Sequence, residues 1–208
     1  MMRKIFLAST LLLAAPLTAL ADDGMSYTYV EGGWNRLQLD AGGAGDVTAD
    51  GGYVRGSFAV APQFHVIVGA SRVSGSEHAG AARVKTTLDV PYLGVGYHAP
   101  ISDGLDFTSE FAWNHRSAKS DYRVDDARFR ETSRFNEVLG MVGVRNRFTE
   151  TLEGWLKGGY ANGGDGQDAR WYGVVGGQVS FTDTWGVVLE GQFDKDVSEY
   201  RVGVRASF

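Results

Sequence analysis

The final residues of the chain, Glu199-Tyr-Arg-Val-Gly-Val-Arg-Ala-Ser-Phe208, alternate apolar and polar positions. In an extended strand Tyr200, Val202, Val204, Ala206 and Phe208 share one face, and Glu199, Arg201, Gly203, Arg205 and Ser207 share the other. The charged face cannot lie against lipid, and it suits a closed interior only if its charges are paired. A barrel wall with lipid outside and a polar lumen inside accommodates both faces.

The same alternation runs through the chain. Residues 26–39 set Thr28, Val30, Gly32 and Trp34 against Tyr27, Tyr29, Glu31 and Asn35, and residues 53–61 set Val54, Phe58 and Val60 against Arg55 and Ser57. Further strands are predicted from residue 64, over a segment ending at 92–98, and at 105–115, 135–148, 152–162, 171–181 and 185–193. Pro91 predicts a bulge. Tight turns are expected at 61–63, 101–104, 149–151 and 182–184, and longer polar loops at 40–52, 74–82, 116–133 and 163–170. The expected fold is all-β: an antiparallel up-and-down transmembrane β-barrel of about ten strands, with eight as the alternative count.

Inward positions gather Glu31, Asp106, Glu110, Glu137, Glu153, Glu190 and Glu199 with Arg55, Arg145, Arg147, Lys157, Arg201 and Arg205. Opposite signs in near balance predict a paired lumen network rather than a selectivity ring of one sign. Barrels of about eight strands are just filled by side chains, so a plugged or very narrow lumen is expected. Outward aromatics fall into two groups, Trp34, Trp113, Tyr160, Trp171, Phe193 and Tyr200 near the loops, and Phe64, Tyr97, Phe148, Phe181, Trp185 and Phe208 near the turns. Two such girdles match two membrane interfaces. A soluble lipocalin-like barrel would show the same alternation, with its apolar face turned inward.

Met1-Met-Arg3-Lys4, an apolar run to Leu20 and Ala19-Leu20-Ala21 read as a cleaved signal peptide over residues 1–21, leaving 22–208 as the barrel domain. The formal charge of −5 becomes more negative once Arg3 and Lys4 leave, which gives no support for nucleic-acid binding. With no cysteine, neither disulfides nor thiol chemistry enter. The 29 glycines suit strands joined by turns.

Candidate chemistry is sparse. His65, His78 and His98 have no metal-site spacing, and no metal, cofactor or catalytic residue is expected. His115-Arg116-Ser117 resembles the His-x-Ser of outer-membrane lipid A deacylases in two residues, but Ala118-Lys119 departs from the next residues of the deacylase motif. Gly163-Gly-Asp-Gly-Gln-Asp168 matches part of a calcium-binding nonapeptide but stands as a single copy, and 40–50 is an acidic loop. In the mixed-charge loop, Arg116, Lys119, Arg123, Arg128 and Arg130 could pair with lipopolysaccharide phosphates.

A terminal strand ending in Phe208 resembles the assembly signal of outer-membrane barrels, implying periplasmic chaperones and the barrel-assembly machinery as partners during biogenesis. The stretch Asp23-Gly-Met-Ser-Tyr-Thr-Tyr-Val-Glu-Gly-Gly-Trp34, with Phe64-His65, Leu93-Gly-Val-Gly-Tyr97 and Thr184-Trp-Gly186, looks like a family of small xanthomonad outer-membrane proteins. These are described as diffusible-signal-regulated or plant-immunity-activator proteins. The resemblance implies a monomeric barrel in the outer membrane, with links to density-dependent signalling (quorum sensing), biofilm and virulence. The expected role is structural or surface-interactive, the alternatives being a narrow passive pore and a lipid A-modifying enzyme.

Overall fold

Alternation at every other residue becomes ten antiparallel strands in the computed structural model, which describes residues 25–40, 47–79, 82–124, 127–163 and 169–208. They are β1 (Tyr29–Leu39), β2 (Val47–Ala61), β3 (Phe64–Ala79), β4 (Ala82–Ser102), β5 (Leu105–Val124), β6 (Ala127–Arg147), β7 (Leu152–Gly163), β8 (Arg170–Ser180), β9 (Trp185–Asp194) and β10 (Val197–Ser207). Each strand pairs with its neighbours in sequence, and β1 pairs with β10 from Tyr29 opposite Ser207 to Leu39 opposite Val197. The sheet therefore closes into a barrel without a free edge, and among the described residues there is no helix. The leader and its cleavage point lie outside the described residues, as do 164–168 of the nonapeptide-like stretch and 41–46 of the acidic loop.

The distribution of polarity is inside-out. Val54, Leu156 and Leu189 are 60, 62 and 61% exposed on the outer face, whereas Glu31, Asn35, Ser57 and Glu137 on the inner face are each 1% exposed. A lipocalin-like barrel would have its apolar residues inside. Here the fully buried large side chains are mostly polar, which is the arrangement an apolar solvent demands. One inner sector is apolar: Leu139, Trp155, Ala161, Tyr172, Val174 and Val188 pack together across β6 to β9.

At one end the links are tight. Residues 103–104 join β4 to β5, and Gly104 takes φ +78°, a conformation that a Cβ would strain. At 148–151 and 182–184 the same device recurs: Thr149 Oγ1 accepts from the Leu152 amide at 3.0 Å, and Thr182 Oγ1 accepts from the Trp185 amide at 2.9 Å.

The other end differs from the sequence expectation. Residues 74–82 and 116–133 are mostly strand, with β3 running to Ala79, β5 to Val124 and β6 starting at Ala127, so two-residue links replace long loops. Likewise β2 begins at Val47. A strand standing in water needs no apolar face, only satisfied neighbours. Those are present: Asp121 accepts from Arg130 at 2.6 Å and Thr86 faces Ser120 at 3.1 Å. Strands β3 to β6 thus have 16, 21, 20 and 21 residues, against 10 to 12 in β7 to β10.

Pro91 makes no bulge. The β4–β5 register runs from Asp89–Ser117 to Tyr92–Asn114 unshifted, with only positions 90 and 91 unpaired. A missing N–H costs a rung of the ladder without adding a residue. The shifts occur instead at Ala59/Ala61 and Pro100/Ser102, beside the tight turns.

Candidate functional site

Strand register places opposite charges side by side in the lumen. Glu31 of β1 stands directly between Arg205 of β10 and Arg55 of β2. Its carboxylate accepts from Arg205 Nε at 2.8 Å, from Arg55 Nη2 at 2.9 Å and from the Tyr53 hydroxyl at 2.5 Å. Arg55 continues to Glu190 at 3.2 Å, which also accepts from Arg201 Nη1 and Trp155 Nε1, each at 2.9 Å. Arg201 in turn holds Glu199, which takes the Asn35 amide at 3.1 Å. A chain of charge-assisted bonds therefore crosses the barrel from wall to wall.

Two further pairs lie beside it, Arg145 with Glu153 and Lys157 with Glu110. Arg147 is register partner to Glu153. Asp106 makes no ion pair among the described residues and accepts the Tyr27 hydroxyl at 2.7 Å.

Tyr27 is turned inward as its parity predicts, but β1 begins at Tyr29 rather than at residue 26, so Tyr27 lies ahead of the strand. The segment preceding β1 turns into the turn-side mouth, where the Tyr27 ring stacks on His98 with centroids 3.7 Å apart and on His65 at 5.0 Å. Arg145 lies over the same ring at 4.9 Å and donates to the Ser26 carbonyl at 2.9 Å. The chain ends are tied there too, with the Phe208 amide donating to the Thr28 carbonyl at 2.9 Å.

Near the opposite mouth, Glu137 binds Arg116 at 3.0 Å and Arg170 at 2.5 Å, and Arg170 reaches Asp194 at 3.0 Å. Sequence reasoning put Arg116 and Arg170 in loops. The available signal was parity, since Arg116 is an even number of residues from Glu110 and shares its face.

Inner aromatics lie over glycines directly opposite them. Trp155 covers Gly176, Tyr92 covers Gly69 and Tyr172 covers Gly159, where an added Cβ would stand 2.5 to 2.6 Å from ring atoms. Among the described residues the lumen holds two small cavities. One of about 120 Å³ is bordered by Glu110, Lys157, Tyr29 and Thr108, and one of about 60 Å³ by Asn35, Ser71, Val73 and Glu199. Tyr92, Asn114, Leu139, Gln192 and Arg201 border both and form the partition between them.

On the outside, Trp34, Trp113, Tyr160, Trp171, Phe193 and Tyr200 are exposed, with Tyr160 against Trp171 at 4.9 Å and Phe193 against Tyr200 at 5.6 Å. Toward the tight turns Phe64 meets Tyr97 at 5.1 Å, and Phe148, Phe181, Trp185 and Phe208 are exposed. His115 stacks beside Trp113 and turns Nδ1 to Asn136 Oδ1 at 2.9 Å rather than to Ser117. Among the described residues no group of His, Asp or Glu could hold a metal ion.

No protein-family model matches the sequence, and no curated protein matches it. Solved structures do share its fold. The translocator domain of the autotransporter NalP from Neisseria meningitidis is 12% identical over 92% of this chain and 91% of that one, with a TM-score of 0.56. The attachment invasion locus protein Ail of Yersinia pestis is 10% identical over 88% of this chain and 100% of its own, TM-score 0.51. The transport unit of the autotransporter AIDA-I from Escherichia coli is 10% identical, covering 95 and 94%, TM-score 0.51. At these identities the likeness is one of fold: this chain is a closed antiparallel barrel of the kind those outer-membrane proteins build.

Proposed function

We propose that the chain is a monomeric outer-membrane β-barrel whose lumen is closed by ion pairs and whose role is structural or surface-interactive rather than catalytic. The carrying observation is the inverted polarity, with exposed apolar residues around a core organised on Glu31, Arg55 and Arg205. On β5 the outward apolar run from Leu105 to Trp113 covers about 27 Å along the strand, or about 20 Å at a tilt of ~40°, close to a hydrocarbon belt. The shared fold with Ail and the NalP translocator supports this location. Export by a cleaved leader over 1–21 and assembly through Phe208 belong to the same reading. Membership of the xanthomonad family, and with it signalling, biofilm and virulence, rests on the motif resemblance.

A narrow pore is the second reading, favoured by the two cavities in series with one partition between them. Single-channel recording in a planar bilayer, with an Arg145→Ala/Glu110→Ala variant alongside, separates the two. Silence in both forms supports the closed barrel, and steady openings altered by the substitutions establish the pore. Recovery of the mature protein from soluble periplasm without detergent sinks both.

A further inference from the structure

Closure of the sheet holds only as far up as all ten strands reach. β6 pairs with β7 no higher than Glu137 opposite Gly163, yet its ladder to β5 continues to Ala127, so residues 127–136 form the side of an open sheet. Among the described residues no strand pairs with that side. The five residues between Gly163 and Ala169 can follow it for about three positions before the chain must return to β8, which leaves Arg128, Arg130 and Thr132 out of their reach. The opposite side of the wall is shorter, since β3 runs only to Ala79, five residues past the Asp50–Ser74 pair.

Main-chain directions on this side follow from the turn below it. The Arg147 amide donates toward β5, to the Gly104 carbonyl at 2.7 Å, and the Phe148 amide toward β7, to the Leu152 carbonyl at 2.9 Å. Neither ladder of β6 shifts register, so its even-numbered residues aim N–H and C=O at the β7 side throughout. Above Glu137 these are Arg128, Arg130, Thr132, Arg134 and Asn136, along an edge of about 30 Å without proline or bulge. An edge of that kind invites another strand. By parity Arg128, Arg130, Thr132 and Arg134 point away from the barrel, whereas Phe129 and Phe135 point over its mouth, Phe129 being 66% exposed.

We propose that this side of β6 takes up an extended segment of another protein as an eleventh strand, with apolar residues of the segment beside Phe129 and Phe135 and acidic residues opposite the arginines. Main-chain bonds hold such a segment and alternate side chains select it. Like charges directly opposite destabilise a strand pair, so three arginines on one face of the edge favour acids there. Asp121 meets Arg130 from β5, whereas a docked strand meets it from the open side. A second copy fits poorly. Copies in one membrane share a direction, so rotation about the membrane normal joins two β6 sides only as parallel strands, with the arginine face of one beside the Phe129 face of the other. The inference names a partner class for the surface-interactive reading above and rests on that reading.

The test uses the folded mature protein in phosphatidylcholine nanodiscs and a fluorescein-labelled peptide of about ten residues alternating valine with glutamate, followed by anisotropy. Two further forms of the peptide carry N-methyl groups on the valine amides or on the glutamate amides, so each blocks one edge of the extended chain. Wild type should bind the parent peptide, and one methylated form alone should bind at least about tenfold more weakly. Both methylated forms behaving alike overturns edge addition, and this comparison needs no variant. Thr132→Pro removes a donor from the open side and leaves the β5 ladder whole, so it should also weaken the parent about tenfold. R128E/R134E should transfer the preference to a valine–lysine peptide. Binding indifferent to Thr132→Pro overturns the proposal, and so does a wild type that dimerises through this side while ignoring the peptides. Heat-modifiable mobility is checked first: wild type that fails to insert overturns the membrane reading and this inference with it, whereas insertion without peptide binding overturns this inference alone.

Discussion

Glu31 and Arg205 face each other across the seam where the first strand meets the last, with both Arg205 Nε and Nη2 on Glu31 Oε2, at 2.8 and 2.5 Å. This ion pair thus fastens the seam at which the cylinder closes. Glu31 is 1% and Arg205 3% exposed, so neither can be rescued by water.

Glu31→Gln should therefore destabilise the barrel by about 3–5 kcal/mol, because Arg205 loses its counter-charge in a buried setting and Arg55 keeps only Glu190. Arg205→Met should cost less, since Glu31 keeps Arg55 and the Tyr53 hydroxyl. Urea midpoints followed by tryptophan fluorescence give the order, and the reverse order would refute Glu31 as the shared partner.

Tyr27 occupies the turn-side mouth. Tyr27→Phe removes only the bond to Asp106 and should cost about 1 kcal/mol. Tyr27→Ala also removes the ring from between Arg145 and the two histidines, and its expected signature is increased current in the planar bilayer. Unchanged conductance in Tyr27→Ala would place the closure deeper, at Tyr92 and Arg201.

The glycines beneath the lumen aromatics make a paired prediction. Gly176→Ala pushes a Cβ to 2.5 Å from the Trp155 indole, so Trp155 must leave Glu190, at an expected cost of about 1–3 kcal/mol with a red-shifted emission. Gly158→Ala, where nothing lies within 4 Å, should be neutral or slightly stabilising. Equal effects at both sites would show that ring packing is not what distinguishes them.

Above the belt, the hydrogen bond from Arg72, assisted by Lys119, holds the Asp89 carboxyl below the usual carboxylate range. A lowered folded value contributes stability above the unfolded value of about 3.9, lost as pH falls through the folded one. Hydrogen exchange in the upper parts of β3 and β4, corrected for intrinsic rates, should speed up below about pH 4. Asp89→Asn should abolish that step, and its persistence in the variant would assign it to another group.

Which residues face in and which face out was legible from parity alone, because a closed sheet leaves a side chain two choices. Val54 against Arg55 and Leu156 against Lys157 illustrate this: the first of each pair is exposed outward and the second is an ion-paired lumen residue. Strand ends were less legible. The run 116–133 lacks an apolar face and reads as loop, yet Lys119, Asp121 and Arg130 satisfy one another or Asp89 across strands. Long-range partners were beyond reach as well: Tyr27 to Asp106 and Arg116 to Glu137 join separate strands through space, and no local pattern encodes them. Gly69, Gly159 and Gly176 fall inside predicted strands, but that they serve as floor beneath rings on the facing strand is not encoded by alternation.

The unequal strand lengths give the molecule a front and a back in the plane of a membrane. On the side of β3 to β6 a neighbour drifting past meets a charged palisade, while around β7 to β10 it meets a rim that ends near the aromatic residues. A cylinder built this way has a heading, and lateral encounters that look alike from above differ according to which way it is turned.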